Sequence, residues 1–311
     1  MCHEDKKMII SASRRTDIPC YYSEWFMNRI HAGYLLTRNP MNNSQISRIS
    51  MSPKIVDCIV FWTKDAKNII PHLNELDQLG YKYYFQFTLN PYDRSIEPNL
   101  RDKHDIIETF IYLSKLIGKE RVIWRYDPII LNDICDIDYH KTQFEMMCRK
   151  LSLYTEKVII SFVDMYAKVK TPLIRPLRED EIVELSVYIR RTAKTYGLSV
   201  YACCESMDLS PYGILKSSCI DKDTIERVCD IKLDLKQDKN QRNGCGCYQS
   251  IDIGAYNTCI NGCIYCYANK SHKNSEKRYL THNPKNELLI GTVLENEVIK
   301  DREQKSDKMK Y

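Results

Sequence analysis

The sequence has no long apolar run, no export signal and no strong excess of one charge. Residues 1–7 are polar and lead into only a brief apolar stretch, which excludes a signal peptide and a membrane span for this segment. The net charge of +5 comes from 46 basic and 41 acidic residues. That mild excess permits an anionic partner without demanding one, whereas a nucleic-acid-binding domain is usually more basic. We therefore expect a cytoplasmic protein with no membrane partner.

Cysteine, by contrast, is abundant, with 14 residues in a chain of 311. In a chain that is not secreted, this enrichment indicates metal or redox chemistry rather than a disulfide scaffold. It also agrees with a reducing cytoplasm.

Short β-branched and aromatic runs alternate with amphipathic segments along the chain. Repeated strand-then-helix units imply a parallel sheet with right-handed crossovers, and the length suits a barrel of about 250 residues. The sequence thus predicts an α/β fold, a TIM-like (β/α) barrel that is closed or partial. The predicted strands are 8–13, 55–63, 83–89, 122–126, 158–163, 198–203 and 250–256, and the predicted helices are 23–31, 66–79, 104–117, 139–151, 181–196 and 223–230.

Several boundaries have local signals. Asp180 is the expected N-cap of helix 181–196, Gly197 is expected to end it, and Pro71 weakens or starts the second helix. We see no linker, so residues 1–299 are predicted to form a single domain that includes a cysteine-rich loop at 245–269. The charged residues 300–311 are predicted to be a disordered tail.

Reactive groups of parallel barrels collect at the C-terminal ends of the strands. Arg125 and Asp127 are two residues apart on a strand, so both point to the same side, where they form either a mutual salt bridge or a substrate clamp. Asp164, Lys168 and Glu205 follow the next two strands and are candidate general acids or bases. Hydrogen bonds at a barrel rim or solvated loop charges are the alternative explanation.

Cys259, Cys263 and Cys266 have the spacing C-x3-C-x2-C. Three thiolates can hold three corners of a four-iron cluster and leave the fourth iron open to a ligand. Zinc is the alternative, but it prefers four closed ligands. The fourth zinc ligand would be Cys245, Cys247, His272 or His282.

This loop resembles the cluster loop of radical S-adenosylmethionine (SAM) enzymes, particularly the relatives of spore photoproduct lyase, which also read G-C-x-Y-C-Y-A. The resemblance implies a [4Fe–4S] cluster whose open iron is chelated by SAM. A reduced cluster would cleave SAM to methionine and a deoxyadenosyl radical, which abstracts hydrogen from a substrate. It also implies an electron donor of the flavodoxin or ferredoxin type.

The resemblance further implies which residues contact SAM. Tyr265 would pack on the adenine side, although ordinary loop packing explains it as well. The Gly-Gly-Glu segment that usually binds the methionine amine is absent, so other side chains are assigned to these contacts. The candidates are Ser11, Ser13 and Asp17 for the methionine part, and Gln86 and Thr88 for the ribose.

Five segments carry a second resemblance, from residue 9 to residue 268: S-R-R-T-D-I-P, V-F-W-T-K, F-Q-F-T-L, W-R-Y-D-P and the terminal cysteine loop. On these the chain is identified as a member of the family called domain of unknown function 1848, which has no established activity. Radical SAM enzymes usually carry the cysteine loop after their first strand, whereas here it follows the last. Because the last strand of a ring can neighbour the first, we predict a circularly permuted radical SAM barrel with the cluster loop beside strand 8–13.

Cys245 and Cys247 flank Gly246 and form a second cysteine feature. Together with Cys203 and Cys219 they could build a four-thiolate site, either an auxiliary iron–sulfur cluster or zinc. A redox dithiol and inert thiols are the alternatives.

Three functions therefore compete. The first is a radical SAM-like enzyme that acts on an unknown small-molecule or macromolecular substrate. The second is a non-radical iron–sulfur or zinc protein with a ligand-binding barrel. The third, suggested by the lyase-like loop and the arginine and tyrosine content, is repair or modification of nucleic acid, which requires salt-dependent binding.

Overall fold

A computed structural model describes residues 8–165, 171–239, 241 and 244–302. Strands and helices alternate through most of this range, as the sequence predicts. The strands are β1 (Met8–Ala12), β2 (Tyr34–Asn39), β3 (Asn42–Ser50), β4 (Val56–Thr63), β5 (Tyr83–Thr88), β6 (Val122–Ile129), β7 (Lys157–Phe162), β8 (Ser199–Ala202), β9 (Leu215–Lys216), β10 (Ile251–Asp252) and β11 (Val298–Asp301). The helices are α1 (Ile18–Tyr21), α2 (Ser23–Ala32), α3 (Leu73–Gln78), α4 (Lys103–Ile117), α5 (Ile137–Leu151), α6 (Glu179–Thr195), α7 (Lys222–Cys229) and α8 (His272–Leu280).

The main sheet has eight strands in the order β10-β1-β4-β5-β6-β7-β8-β9, and every neighbouring pair is parallel. The α/β class is therefore confirmed. The sheet is bounded by β10 and β9, so a closed barrel is not shown. The prediction that the strand before the cysteine loop neighbours the first strand is confirmed, because Ile10 pairs with Ile251 and Ser11 with Asp252.

The two faces of the sheet pack against different layers because side chains alternate along each strand. Ile10, Phe85 and Trp124 belong to the core on the helical side, where residues of α2 to α6 pack. Ile9 and Tyr84 belong to a smaller core on the opposite face, which is covered by α7 and the irregular chain around it. That smaller core also contains buried cysteines, namely Cys58, Cys203, Cys219, Cys229 and Cys247.

Local signals were right for most boundaries and wrong for one N-cap. Helix α3 begins after Pro71, and Gly197 adopts φ 73° just beyond α6, as expected of a residue that ends a helix. Asp180, however, lies within the first turn of α6. The N-cap is Arg178, whose backbone N–H donates to the Glu181 carboxylate at 2.9 Å. Glu181 thus takes the position of a capping-box glutamate.

A second, three-stranded sheet in the order β11-β3-β2 was not predicted. Lys300 and Asp301 lie in β11 and pair with β3, so the predicted tail cannot begin at residue 300, and residues 303–311 lie outside the described range. All four β11 residues are exposed, so the segment lacks the half-buried pattern that identifies a strand. No helix in the described part of the chain is long and apolar enough to cross a bilayer.

Candidate functional site

A cavity of about 670 Å³ lies at the C-terminal ends of the sheet strands. The sequence predicts polar side chains at this edge, and several line the cavity: Ser13, Asp17, Lys64, Thr88, Arg125, Asp127, Ser161 and Asp164. Both cysteine features reach the same space. Its wall includes Cys259, Cys263 and Cys266 together with Cys203, Cys204, Cys219, Cys245 and Cys247.

The loop that carries Cys259, Cys263 and Cys266 is fixed by backbone contacts to the segment before α4. Asn99 donates from its backbone N–H to the Asn261 carbonyl at 3.3 Å and from its side chain to the Ile260 carbonyl at 2.7 Å. Gly262 has φ +75°, and a Cβ at this position would lie 2.8 Å from Cγ of Pro98. A glycine is therefore needed for the loop to pass so close to Pro98.

Burial favours the neutral form of two of these thiols, Cys259 and Cys263. It raises the pKa of Cys263 to about 12, although Lys64 opposes the shift, and it raises the pKa of Cys259 well above its usual range, with Asp17 adding to the effect. Metals bind thiolates, so a metal would have to displace these protons.

A buried cluster of charged side chains contacts Tyr265 of the cysteine loop. Lys64 Nζ donates to the Glu97 carboxylate at 2.7 Å and to the Tyr265 hydroxyl at 2.8 Å, while Lys103 and the Tyr265 hydroxyl also donate to Glu97. Burial alone would raise the pKa of Glu97, but Lys64 and Lys103 lower it to about 2. The carboxylate is therefore charged, and it fixes the hydroxyl of Tyr265, which lines the cavity.

The three SAM-contact candidates near β1 are placed differently from one another. Ser11 and Ser13 both donate to the Asp252 carboxylate, at 3.0 and 2.6 Å, and Ser13 but not Ser11 is among the residues lining the cavity. Asp17 lines the cavity, and its carboxylate accepts from the backbone of Lys64 at 2.8 Å and from Asn261 at 3.2 Å. Burial raises the pKa of Asp17 to about 6, against the effect of those hydrogen bonds.

The two candidates on β5 are also separated. Thr88 lines the cavity. Gln86 is fully buried behind the wall, where its amide donates to the Cys219 carbonyl at 2.8 Å and its carbonyl accepts from Arg125 at 3.4 Å.

Arg125 and Asp127 form the ion pair that was one of the two expected arrangements. Arg125 Nε donates to the Asp127 carboxylate at 3.0 Å, and Ser161 donates to the same carboxylate. Burial opposes ionisation of Asp127, yet Arg125 lowers its pKa below the ordinary value. A second guanidinium nitrogen of Arg125 donates to Cys219 Sγ at 2.9 Å, so this side chain also contacts the cysteines.

The other candidate acids and bases are only partly brought together. Asp164 lines the cavity. Glu205 is not among the lining residues, and its carboxylate accepts from the Phe162 backbone at 3.0 Å. Lys168 lies outside the described residues.

The four cysteines assigned to a second site form a contiguous chain of sulfurs. Cys203 Sγ and Cys219 Sγ are 2.8 Å apart, and Cys247 makes side-chain hydrogen bonds to both Cys219 and Cys245. Across residues 8–165, 171–239, 241 and 244–302, no three His, Cys, Asp or Glu side chains have a ready-made metal-coordinating arrangement. Of the four candidate fourth zinc ligands for the three-cysteine loop, Cys245 and Cys247 line the cavity, whereas His272 and His282 do not.

Sequence reasoning missed Glu97, Lys103 and Asp252. Asp252 holds Ser11, Ser13 and the backbone N–H of Arg14, which makes it the main support of the loop after β1. Its signal was present, since it is a carboxylate on the strand next to β1. Glu97 lies in the connection before α4 and Lys103 is the first residue of α4, and neither carries a comparable signal.

Similarity to solved structures is low. A crystal structure of HydG, a maturase of the [FeFe]-hydrogenase, matches with a TM-score of 0.36 and 12% identity, covering 68% of this chain and 57% of the HydG chain. A putative alpha-L-fucosidase from Bacteroides thetaiotaomicron VPI-5482 matches with a TM-score of 0.28 and 10% identity, covering 89% of this chain and 95% of that one. At these scores neither structure carries an argument about fold or function. No curated protein matches the chain.

The family comparison is specific. The model of the Domain of unknown function (DUF1848) matches residues 9–268, which extends from β1 through the cysteine loop and includes every residue that lines the cavity. The segments that resemble the family are therefore the same segments that build the site. The chain belongs to the DUF1848 family.

Proposed function

We propose that this protein is an iron–sulfur enzyme of the radical SAM type, in which Cys259, Cys263 and Cys266 hold a [4Fe–4S] cluster. One observation supports this most: the C-x3-C-x2-C loop forms part of the wall of one large cavity at the C-terminal ends of parallel strands. The cavity volume, about 670 Å³, lies within the range of about 300–1,000 Å³ that is usual for small-ligand sites.

The donor set and its surroundings suit a cluster rather than a bare zinc ion. Three thiols come from one short loop, and His272 and His282, two of the four candidate fourth zinc ligands, do not line the cavity. The other two candidates, Cys245 and Cys247, do line it, but the Cys247 side chain interacts with Cys219 and Cys245 of the second cysteine group. The loop is held rigidly, with Gly262 against Pro98 and the Asn99 side chain on the Ile260 carbonyl. Rigid placement of ligands is what a site of fixed geometry requires.

When bound, a reduced cluster supplies the electron that cleaves SAM and starts radical chemistry, drawing on a donor of the flavodoxin or ferredoxin type. The protein's task is to bind, orient and exclude water. Trp62, Phe162 and Tyr256 contribute apolar surface to the cavity wall, and Lys64 with Glu97 fixes the Tyr265 hydroxyl. The close pairing of β10 with β1 is what a circularly permuted radical SAM sheet would need.

Cavity placement divides the candidate contacts into two groups. Ser13, Asp17, Thr88 and Tyr265 reach the cavity and are proposed to contact SAM. Ser11 would instead help to position Asp252, which accepts from Ser13, and Gln86 would help to position Arg125. On the substrate side we propose Arg125 with Asp127 as a charged pair and Asp164 as a general acid or base.

The test is anaerobic reconstitution of the full chain, with iron and sulfide quantitation, EPR with and without SAM, and detection of 5′-deoxyadenosine after reduction. The expected result is a cluster whose EPR spectrum changes when SAM is added, together with release of deoxyadenosine. Cys263→Ala should abolish both signals. Cys148→Ala, a buried cysteine of α5 that does not line the cavity, is the matched control and should retain them. A spectrum unaffected by SAM, with no deoxyadenosine, would contradict the proposal and favour a non-radical metal protein.

A further inference from the structure

In the described residues between Cys203 and β10, little regular structure holds the chain against the sheet. This segment contains β9 with two residues, α7 with eight, and ends at β10, which also has two. Nevertheless, parts of this segment are deeply buried, including Cys219, Ile220 and Cys247. Irregular chain that covers a core needs a cross-link or a dense set of contacts to stay in place.

Four cysteines lie where three parts of this segment meet. Cys203 follows β8, Cys219 precedes α7, and Cys245 and Cys247 precede β10. Their sulfurs form a continuous chain, with Cys203 in contact with Cys219, Cys219 with Cys247, and Cys247 with Cys245.

The backbone around these sulfurs is arranged for close approach. Gly246 lies against Ser218, and a Cβ on Gly246 would be 2.8 Å from the Ser218 hydroxyl oxygen. That hydroxyl donates to the Gly246 carbonyl at 2.6 Å. The hydrogen bond connects the Cys245–Cys247 turn to the residue that precedes Cys219. A side chain at position 246 would disturb this hydrogen bond, so glycine suits the close approach of the two segments.

Donors around the sulfurs are suited to negative charge. The backbone N–H groups of Cys219 and Ile220 point to Cys247 Sγ at 3.3 and 3.5 Å. Arg125 donates to Cys219 Sγ at 2.9 Å, and Arg14 interacts electrostatically with Cys247 and Cys219. Hydrogen bonds from charged donors would stabilise the thiolates that form when a metal displaces the thiol protons.

We propose that Cys203, Cys219, Cys245 and Cys247 bind a single tetrahedral Zn²⁺ ion. The ion would cross-link the 203–250 segment on the face of the main sheet that carries Ile9 and Tyr84. This site is separate from the three-cysteine loop, and it does not depend on radical chemistry. A Zn–S distance of about 2.3 Å gives a sulfur–sulfur edge of about 3.8 Å in a tetrahedral site. The Cys203–Cys219 separation of 2.8 Å is shorter, so the ion would move these sulfurs apart by about 1 Å.

A single ion suits this spacing better than a cluster. The ligand sulfurs of a cubane are separated by the whole cluster, whereas the Cys203 and Cys219 sulfurs are only 2.8 Å apart. A disulfide between Cys203 and Cys219 would use only two of the four, and it is unusual in a reducing compartment.

The experiment begins with Cys259→Ala, Cys263→Ala and Cys266→Ala combined in the full chain, which removes the loop ligands and separates this inference from the proposed function. Elemental analysis should still find about one zinc ion per chain, and a cobalt-substituted sample should show thiolate-to-cobalt charge transfer with tetrahedral d–d bands. Adding Cys245→Ala and Cys247→Ala to this background should reduce bound zinc roughly tenfold or more.

Cys58→Ala with Cys229→Ala is the matched control, because these two thiols also interact in the same buried cluster but lie outside the proposed site. The control should retain zinc and the cobalt spectrum. The inference is overturned if the loop-free variant binds no stoichiometric metal, if it instead contains iron with equal acid-labile sulfide, or if zinc survives removal of Cys245 and Cys247. If the variant that lacks Cys245 and Cys247 does not fold, the single changes Cys203→Ser and Cys245→Ser can replace it. Each should weaken the thiolate-to-cobalt absorption bands of the cobalt-substituted protein.

Discussion

Replacing Glu97 with glutamine should destabilise the protein more than replacing its partner Lys64 with methionine. The Glu97 side chain is fully buried and accepts from Lys64 and Lys103. Removing its charge leaves two ammonium groups facing each other with no carboxylate between them. Removing Lys64 leaves one carboxylate with one lysine, which is still a neutral pair. The order of the two effects follows from this charge count.

The expected magnitudes come from the burial of this cluster. Breaking a buried ion pair by removing one partner costs about 3–5 kcal/mol, which we assign to Glu97→Gln. Lys64→Met removes a charged hydrogen bond while a second lysine remains, and should cost about 1.5–3 kcal/mol. At ~2 °C per kcal/mol for a chain of this size, Glu97→Gln should lower Tm by roughly 6–10 °C.

The pH dependence provides a second estimate for the same residue. The pKa of Glu97 is lowered in the folded protein from 4.5 to about 2, so the stability it contributes is present above pH 4.5 and is lost as pH falls toward 2. At ~1.4 kcal/mol per pH unit this contribution is about 3 kcal/mol, which agrees with the ion-pair estimate. The difference between wild type and Glu97→Gln should therefore shrink as the solution is acidified through this window.

Urea unfolding followed by tryptophan fluorescence measures these differences, because Trp25 and Trp124 are fully buried. Wild type, both single variants and the double variant should be compared in the same metal state at pH 7 and near pH 3. The double variant should cost less than the sum of the singles, as expected for contacting residues. A smaller loss for Glu97→Gln than for Lys64→Met, or a difference that does not depend on pH, would refute the reasoning.

Two further predictions concern the loop and a buried histidine. Gly262→Ala should lower the free energy of unfolding by at least twice as much as Gly80→Ala, for which we expect a loss of about 1 kcal/mol. Both glycines have positive φ, but of the two only Gly262 is close to another group, Pro98. Equal losses in urea unfolding would count against the contact. Burial lowers the pKa of His140 to about 4, so the unfolded chain binds a proton at this imidazole before the folded protein does. The free energy of unfolding should therefore fall by about 2 kcal/mol from this residue between pH 7 and pH 5. His140→Gln should lack this part of the acid-induced loss, and an unchanged pH profile would contradict the assignment.

Much of the fold could be read from local patterns. The buried strands β4, β5 and β7 are short runs of β-branched and aromatic residues, and their predicted limits are within one or two residues of the observed ones. β10 was predicted too long, because the apolar residues after Asp252 pack as irregular chain rather than as a paired strand. β11 was missed for the opposite reason, since its pairing partner, β3, lies some 250 residues earlier and its own residues are exposed.

The candidate site divides in a similar way. Residue type predicted that the cysteines of both groups are candidate ligands, and the structure brings them to the wall of one cavity. The parallel topology predicted that Ser13, Arg125 and Asp164 lie at one edge of the sheet, and all three line that cavity. Spacing could not show that Ser11 and Gln86 lie behind the cavity wall, because a strand's two faces are distinguished only once the covering layer is known.

By itself the sequence determined the α/β class and the parallel direction of the central strands, which follow from local periodicity, and the close spacing of Cys259, Cys263 and Cys266 marked out their loop. Only the tertiary structure decided that Glu97 lies beneath Tyr265, that Asp252 holds Ser13, and that the sulfurs of Cys203 and Cys219 touch. These are contacts between residues distant in the chain. Their formation depends on how the buried layers pack together, and no local pattern records that packing.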